Sequence, residues 1–302
     1  MVDLLVIGDA NPDVIVGPLT EPLAFGQHEQ LVDTGVLALG GSGAITACGA
    51  ARLGLSVAIA ARVGDDAAGR FVRDALAARG VDTGALLVDD APTTLTVIVT
   101  RDGDRAMLTS GSWPPFGVSE ELLASSRHVH VSSYFLLRSM AEVLPGLLAT
   151  AGRHGATTSL DTNDDPNGNW DVGPLLAEVD YLLPNANEAM RLAGATSVPD
   201  AASALASRGP VVVVKDGAAG AHCHNGEEVL RARGITVSPV DTVGAGDSFD
   251  AGFLAAKLRG LSDQRALDVA AVCGALSTLS AGGTASQPAW ADAMSYVEGS
   301  QP

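Results

Sequence analysis

Short apolar runs bounded by Gly, Asp or Pro alternate along the chain with longer, Ala-rich stretches of helical period. Leu4–Ile7, Val57–Ala61, His128–Val131, Thr158–Asp161, Tyr181–Leu183 and Val211–Val214 read as strands. Gly43–Arg52 and Ala67–Arg79 read as helices, the second stopping at Gly80. Strand runs that are apolar on both faces predict a sheet covered on both sides, with helices returning the chain between parallel strands. The fold class is therefore α/β: a central, mostly parallel sheet flanked by helices.

One stretch has the other period. Thr94–Thr100 alternates polar and apolar side chains, meets a turn at Arg101-Asp-Gly-Asp104 and continues as Arg105–Thr109, the pattern of a hairpin with one wet face. Pro12–Leu37 is likewise rich in turn residues and β-branched side chains. Together they predict a small β lid, formed from about 12–37 and 92–112, over one edge of the main sheet. No repeat, low-complexity tract or linker interrupts the pattern, so a single domain over 1–302 is expected to carry the lid as an insertion.

Composition narrows the picture. Hydrophobic residues are 47% of the chain but aromatics only 4%, so the core must be built from Ala, Val and Leu. Apolar runs such as Val211–Val214 fall far short of the ~20 residues of a membrane span. The N-terminus runs straight into a strand, without a basic and then apolar leader. A cytoplasmic protein that meets no membrane is expected. The formal net charge of −17 argues against nucleic acid, which needs a basic footprint, but not against a phosphorylated ligand held by backbone N–H groups. Cys48, Cys223 and Cys273 are odd in number and scattered, which fits reduced thiols. His222 and His224 flank Cys223, but an adjacent trio in a loop lacks the four ligands of a closed zinc site.

The chemistry concentrates in Val240-Asp-Thr-Val-Gly-Ala-Gly-Asp-Ser-Phe-Asp-Ala-Gly-Phe253. Phe249, Gly252, Phe253 and Ala256 share one face of a helix ending near Gly260. Ahead of them Gly244, Ala245 and Gly246 carry almost no side chain, so backbone N–H groups can approach an anion closely and the helix dipole adds to the attraction. Asp247 stands in the first turn. A carboxylate there can take a proton from a substrate hydroxyl while the N–H groups stabilise the transferring phosphoryl group. An isolated Gly-X-Gly-Asp would equally be a plain loop with an acidic helix start, so the longer string decides. Gly40–Ala44 is not followed by Gly-Lys-Ser/Thr, which excludes a P-loop, and Gly8-Asp-Ala-Asn11 lacks the glycine triplet of a dinucleotide fingerprint.

Asp241-Thr-Val-Gly-Ala-Gly-Asp-Ser-Phe249 resembles, nearly letter for letter, the C-terminal signature of the PfkB, or ribokinase-like, carbohydrate kinases. Further motifs follow in the family's order along almost the whole chain. The resemblance implies a ribokinase-like fold, with ATP and Mg2+ as cofactors. Asp247 would be the catalytic base, and Gly244, Ala245 and Gly246 the anion hole. Gly8-Asp-Ala-Asn-Pro-Asp13 resembles the substrate segment, in which Asn11 and Asp13 bind hydroxyls. Gly40-Gly-Ser-Gly-Ala44, with Ala50–Gly54 and Val63–Asp66, resembles the first glycine-rich signature and puts Gly40, Gly41 and Ser42 at the substrate. Asn185 and Glu188 match an Asn-x-x-Glu motif that works near the magnesium ion and phosphates. Lys215, Gly217 and Gly220 match the loop beside the nucleotide, and Gly283 a late loop that closes the adenine pocket. In many relatives that loop also lines a potassium site, which here implies Asp241, Gly282 and Ser286.

The expected activity is transfer of the γ-phosphoryl group of ATP to a hydroxyl of a sugar or sugar-like molecule. The alternatives are an adenosine-like nucleoside kinase and a nucleotide-binding regulator without turnover. An exposed lid edge is a plausible surface for a homodimer. Three positions depart from the family or stand outside it. Ile45 replaces an Asn that contacts substrate in many sugar kinases. In Asp161-Thr-Asn-Asp-Asp165, Asp165 takes the place of an Arg used near phosphate, so Asp164 and Asp165 are expected to cap a following helix or face solvent. Trp113-Pro-Pro-Phe116 offers either two stacking aromatics beside the lid or a stiff packed connector.

Overall fold

The computed structural model describes residues 1–102, 104–111 and 114–299. Seven parallel strands run in the spatial order Val81–Asp82, Val57–Ala60, Val2–Ile7, Ser126–Val131, Thr157–Leu160, Tyr181–Leu182 and Val211–Lys215. Ala221–His224 and Val229–Ala232 extend one edge antiparallel. The reason for the parallel centre is visible in Val2–Ile7. Leu4 and Val6 enter the core on one face, Leu5 and Ile7 the core on the other, and all four are wholly buried. A strand apolar at every position is satisfied only between two helical layers.

Ser42–Arg52, Ala245–Leu258 and Asp263–Ser277 form one layer; Leu144–Arg153, Ala186–Ala193 and Val198–Ala206 form the other. The Ala245–Leu258 helix is not one-sided as its pattern implies: every residue from Asp247 to Ala256 is buried. The neighbouring helices enclose it because small residues allow close approach. A Cβ on Gly252 would stand 2.9 Å from the Cβ of Cys273.

Two other local readings are corrected. His222 and His224 lie in a strand, not a loop, and strand alternation buries Cys223 while turning the two histidines the other way. Asp165 neither caps a helix nor faces solvent. It is buried, pairs with Arg138 at 2.7 Å and accepts from the backbone N–H groups of Asn167, Asn169 and Trp170. Of the two readings of Trp113–Phe116, the packed connector agrees with Phe116, which is buried in the core, while Trp113 lies outside the described residues. The three thiols are buried, and no described helix is long and apolar enough to cross a membrane.

A smaller sheet carries the strands Thr34–Gly40, Asn11–Gly17, Leu95–Arg101 and Asp104–Ser110, in that order. Its Ile15 and Ile98 are buried against Val243, in the loop that leads into Ala245–Leu258. The hairpin's second strand is exposed at every position, so it is wet on both faces rather than one. This sheet therefore sits over the carboxyl ends of the parallel strands, where open α/β sheets form their crevice.

Candidate active site

Gly244 precedes the Ala245–Leu258 helix with φ 72°, the left-handed region that glycine enters without penalty. No Cβ fits there: it would stand 2.7 Å from the Gly283 Cα and 2.9 Å from the Ile45 Cγ2. The turn leaves the first-turn N–H groups without intrahelical acceptors, at the positive end of the helix dipole. Asp247 is buried in that turn. Burial first, and then the charge of Asp161, push its carboxyl well above the usual carboxylate range, against the pull of Lys215 and a hydrogen bond from Ser42.

Polar groups converge on one side of Asp247. Ser42 opens the Ser42–Arg52 helix, and its Oγ accepts from Asn163 Nδ2 at 3.2 Å; Asn163 Nδ2 also reaches Ser133 Oγ at 3.3 Å. Asp9 accepts from the Gly43 N–H at 3.0 Å. From the smaller sheet, Asn11 Nδ2 donates to Asp13 Oδ1 at 2.9 Å and to Thr96 Oγ1 at 3.2 Å. The Asp13 carboxyl lies directly over Gly40, and Gly41 approaches the Asp9 carbonyl. Burial and the neighbouring Asp9 charge push Asp13 up to about 7. A buried cluster so rich in acceptors suits a ligand that brings hydroxyl donors.

The other side of the turn opens into a cleft of about 450 Å³. Its wall includes Lys215, Gly217, Gly220, Ala245 and Gly246 from the motif readings. Ile235, Val237, Ala271 and Ala275 make most of the remainder apolar. Asn185, Glu188 and Gly283 are not among the lining residues. Asn185 and Glu188 cap the Ala186–Ala193 helix through each other: Asn185 accepts from the Glu188 N–H at 3.0 Å, and Glu188 accepts from the Asn185 N–H at 2.9 Å. Gly283 packs beneath Gly244 against Ile45. Asp241 accepts from the N–H groups of Val243 and Gly282, both at 2.9 Å, and stands 3.8 Å from Arg105. Ser286 follows in the same loop, half-buried.

Several participants escape motif reading. Ser133 and Asn163 are non-glycine residues held at φ 57° and 56°, at the carboxyl ends of adjacent strands. Strain of this kind collects where a site must be shaped. Asp9 stood inside a recognised string without a role, and Asp250 gave no signal beyond following Asp247 by one helical turn.

Residues 1–290 match the family model described as pfkB family carbohydrate kinase. The chain is 32% identical over 285 residues to an ATP-dependent ribose-1-phosphate kinase of Halopiger xanaduensis, covering 92% of each. It is 28% identical to a ribokinase of Haemophilus influenzae, covering 98% of both. The structure of Arabidopsis thaliana ribokinase complexed with ribose and ATP superposes with a TM-score of 0.85 at 26% identity, covering 98% of this chain and 99% of that one. With a ribokinase fold, a buried carboxylate at a glycine-led helix start and this likeness over its whole length, the chain belongs to the pfkB family of carbohydrate kinases, phosphotransferases with an alcohol group as acceptor.

Proposed function

We propose that the chain transfers the γ-phosphoryl group of ATP to a hydroxyl of a sugar, with Asp247 as general base and the Gly244–Gly246 turn as anion hole. The observation that carries this reading is the position of Asp247, between the hydroxyl-binding cluster around Ser42 and the cleft lined by Gly246 and Lys215. The acceptor hydroxyl gives its proton to Asp247, its oxygen bonds to the γ-phosphorus, and the bond from that phosphorus to the β-γ bridging oxygen breaks, releasing ADP. First-turn N–H groups meet the charge on the equatorial oxygens. The smaller sheet closes over the acceptor as a lid, and its exposed Leu37, Met107 and Leu108 offer a surface for a second copy.

Magnesium fits as an ion carried on the ATP phosphates. Among the described residues no group of three or more His, Cys, Asp or Glu is arranged to hold a metal. Glu188, pushed up to about 7 by burial and by Asp161, is a carboxylate that a cation there would draw into its charged form. When bound, the ion neutralises phosphate charge. Potassium does not fit Asp241 as it stands, because two N–H donors and the Arg105 guanidinium already balance that carboxylate.

A second reading, an acceptor that already carries a phosphate, has one specific support. Arg105 projects from the smaller sheet to donate to Thr242 Oγ1 at 3.0 Å, and its charge acts on Asp13. The ribose-1-phosphate kinase relative fits that reading. A nucleoside acceptor has less: Phe116 is in the core, and an adenosine kinase structure from Sinorhizobium meliloti, at 23% identity, shares the fold alone. The test is ADP release from MgATP with a panel of pentoses, hexoses, sugar acids, sugar phosphates and nucleosides. Turnover with a free sugar supports the first reading, and turnover with sugar phosphates alone the second. Turnover with none of them overturns both.

A further inference from the structure

Lys215 is held more tightly than a mobile phosphate clamp would be. Its Nζ donates to Asp161 Oδ2 at 3.2 Å and to Asp250 Oδ2 and Oδ1 at 2.9 and 3.1 Å. Asp250 is wholly buried, and no step described above uses it. An ammonium has three N–H donors, and the two carboxylates hold this one through three contacts. The open direction is the nucleotide cleft, which Lys215 lines with 11% of its side chain exposed. A Cβ on Gly246 would stand 3.6 Å from Nζ, so the ammonium lies directly behind the anion turn.

The charges explain how two carboxylates share one cation in the core. Asp161 and Asp250 also act on each other, Asp161 raising Asp250 and Asp250 lowering Asp161. Burial pushes Asp250 well up. Burial works the same way on Asp161, but Lys215 and the bond from Asp250 hold that carboxyl below its usual range. Opposite shifts of the two carboxyls around one ammonium bring the unit towards neutrality, which burial tolerates. Glu188 and His130 also face this unit. Asp247 is faced in turn by Asp161, Lys215, Asp9 and Ser42.

We propose that Asp250 is a positioning residue which, with Asp161, locks the Lys215 ammonium behind Gly246 so that its charge faces the nucleotide phosphates. This rests on the phosphoryl-transfer reading above. A fixed ammonium is preorganised for charge on the transferring group, whereas a free one must be ordered at each turnover.

The experiment is single-turnover transfer from MgATP to whichever of D-ribose, D-fructose and ribose 1-phosphate reacts fastest. The variants are Asp250→Ala, Asp250→Asn, Lys215→Met and the double Lys215→Met/Asp250→Ala, with melting curves to confirm folding. Asp250→Ala should slow transfer by about tenfold or more, the scale of a misplaced catalytic group. Its Kd for MgADP, read by calorimetry, should move by less than about threefold, because the turn's N–H groups still bind phosphate. Asp250→Asn should recover at least about half of that loss on a logarithmic scale, since its amide oxygen can still accept from Nζ. The double variant should be no slower than Lys215→Met alone, because Asp250 acts through the lysine.

Transfer by Asp250→Ala within about threefold of the parent overturns the proposal, as do additive losses in the double variant. Should Asp250→Ala not fold, Asp250→Val fills the buried site without offering an acceptor and takes its place. Asp247→Asn is run beside these. If it transfers at the parent rate, the base assignment fails, while the Asp250 and Lys215 arms still report on the lysine.

Discussion

Replacing Asp247 with Asn leaves the shape of the first helical turn and removes only the capacity to take a proton. General-base catalysis is worth roughly 10²–10⁴ in rate, so kcat should fall by that factor. Nucleotide binding should move the other way. A unit charge about 6 Å from a phosphate interacts by roughly 3 kcal/mol at an effective dielectric near 20. Burial favours the neutral form of Asp247, which lessens the charge lost, so the gain in MgATP affinity should stay below about tenfold. Stability should rise. The native pKa of Asp247 lies above its unfolded value, so ionising the native carboxyl is unfavourable from the usual carboxylate range up to that raised value. Asn has nothing to ionise, and the melting temperature at neutral pH should equal or exceed the parent's. The parent's transfer rate should also climb with pH through the raised pKa, while the variant's rate should be flat there. The assay is single-turnover phosphoryl transfer across pH with the best acceptor of the panel, beside calorimetry for MgATP. A variant within about threefold of the parent, or one that keeps the parent's rise with pH, refutes the assignment.

Asp13, pushed up to about 7, makes a second pH-dependent case. Its native form is neutral where its unfolded form is charged, so Asp13→Asn should stabilise by an amount that grows between about pH 4 and 7 and then levels, on the order of 1–4 kcal/mol. Melting curves at pH 5 and 8 check this, and an equal gain at both refutes it. Gly244→Ala should lower the melting temperature, because the left-handed backbone and the crossing with Gly283 leave no space, at about 1–3 kcal/mol. Gly246→Ala, whose Cβ would meet Lys215 at ordinary contact distance, should melt near the parent, and a reversal of that order would contradict the packing described. The strands Asn11–Gly17 and Leu95–Arg101, with Ile15 and Ile98 as their buried apolar anchors, should exchange amide hydrogens faster than Val211–Lys215 and become protected when acceptor binds. Unchanged exchange with every reactive acceptor would speak against a closing lid.

The alternation of short apolar runs with helical segments was enough to place the α/β class and most strands. Val2–Ile7 and Val211–Lys215 are apolar at successive positions because both faces are covered, a requirement written in local composition. The helix start at Gly244–Asp247 was legible for the same kind of reason, since a glycine turn before an acidic first turn is a local arrangement with a local physical purpose. The antiparallel strand Ala221–His224 was not, because its alternation of buried and half-buried residues is only four residues long. Nor was the grouping around the base. Ser42, which its signature had placed at the substrate, meets Asp9, Ser133 and Asn163 because the strands Val2–Ile7, Ser126–Val131 and Thr157–Leu160 lie side by side. The apolar wall of the cleft, and the hold of Asp250 and Asp161 on Lys215, likewise depend on helix placement over the sheet. Local periodicity and turn chemistry follow from the residues of one segment, so the elements and the chemical signature can be read from the chain. Strand order and packing bring distant segments together, so the side chains that surround Asp247, and the charge it feels, emerge only when the chain is folded.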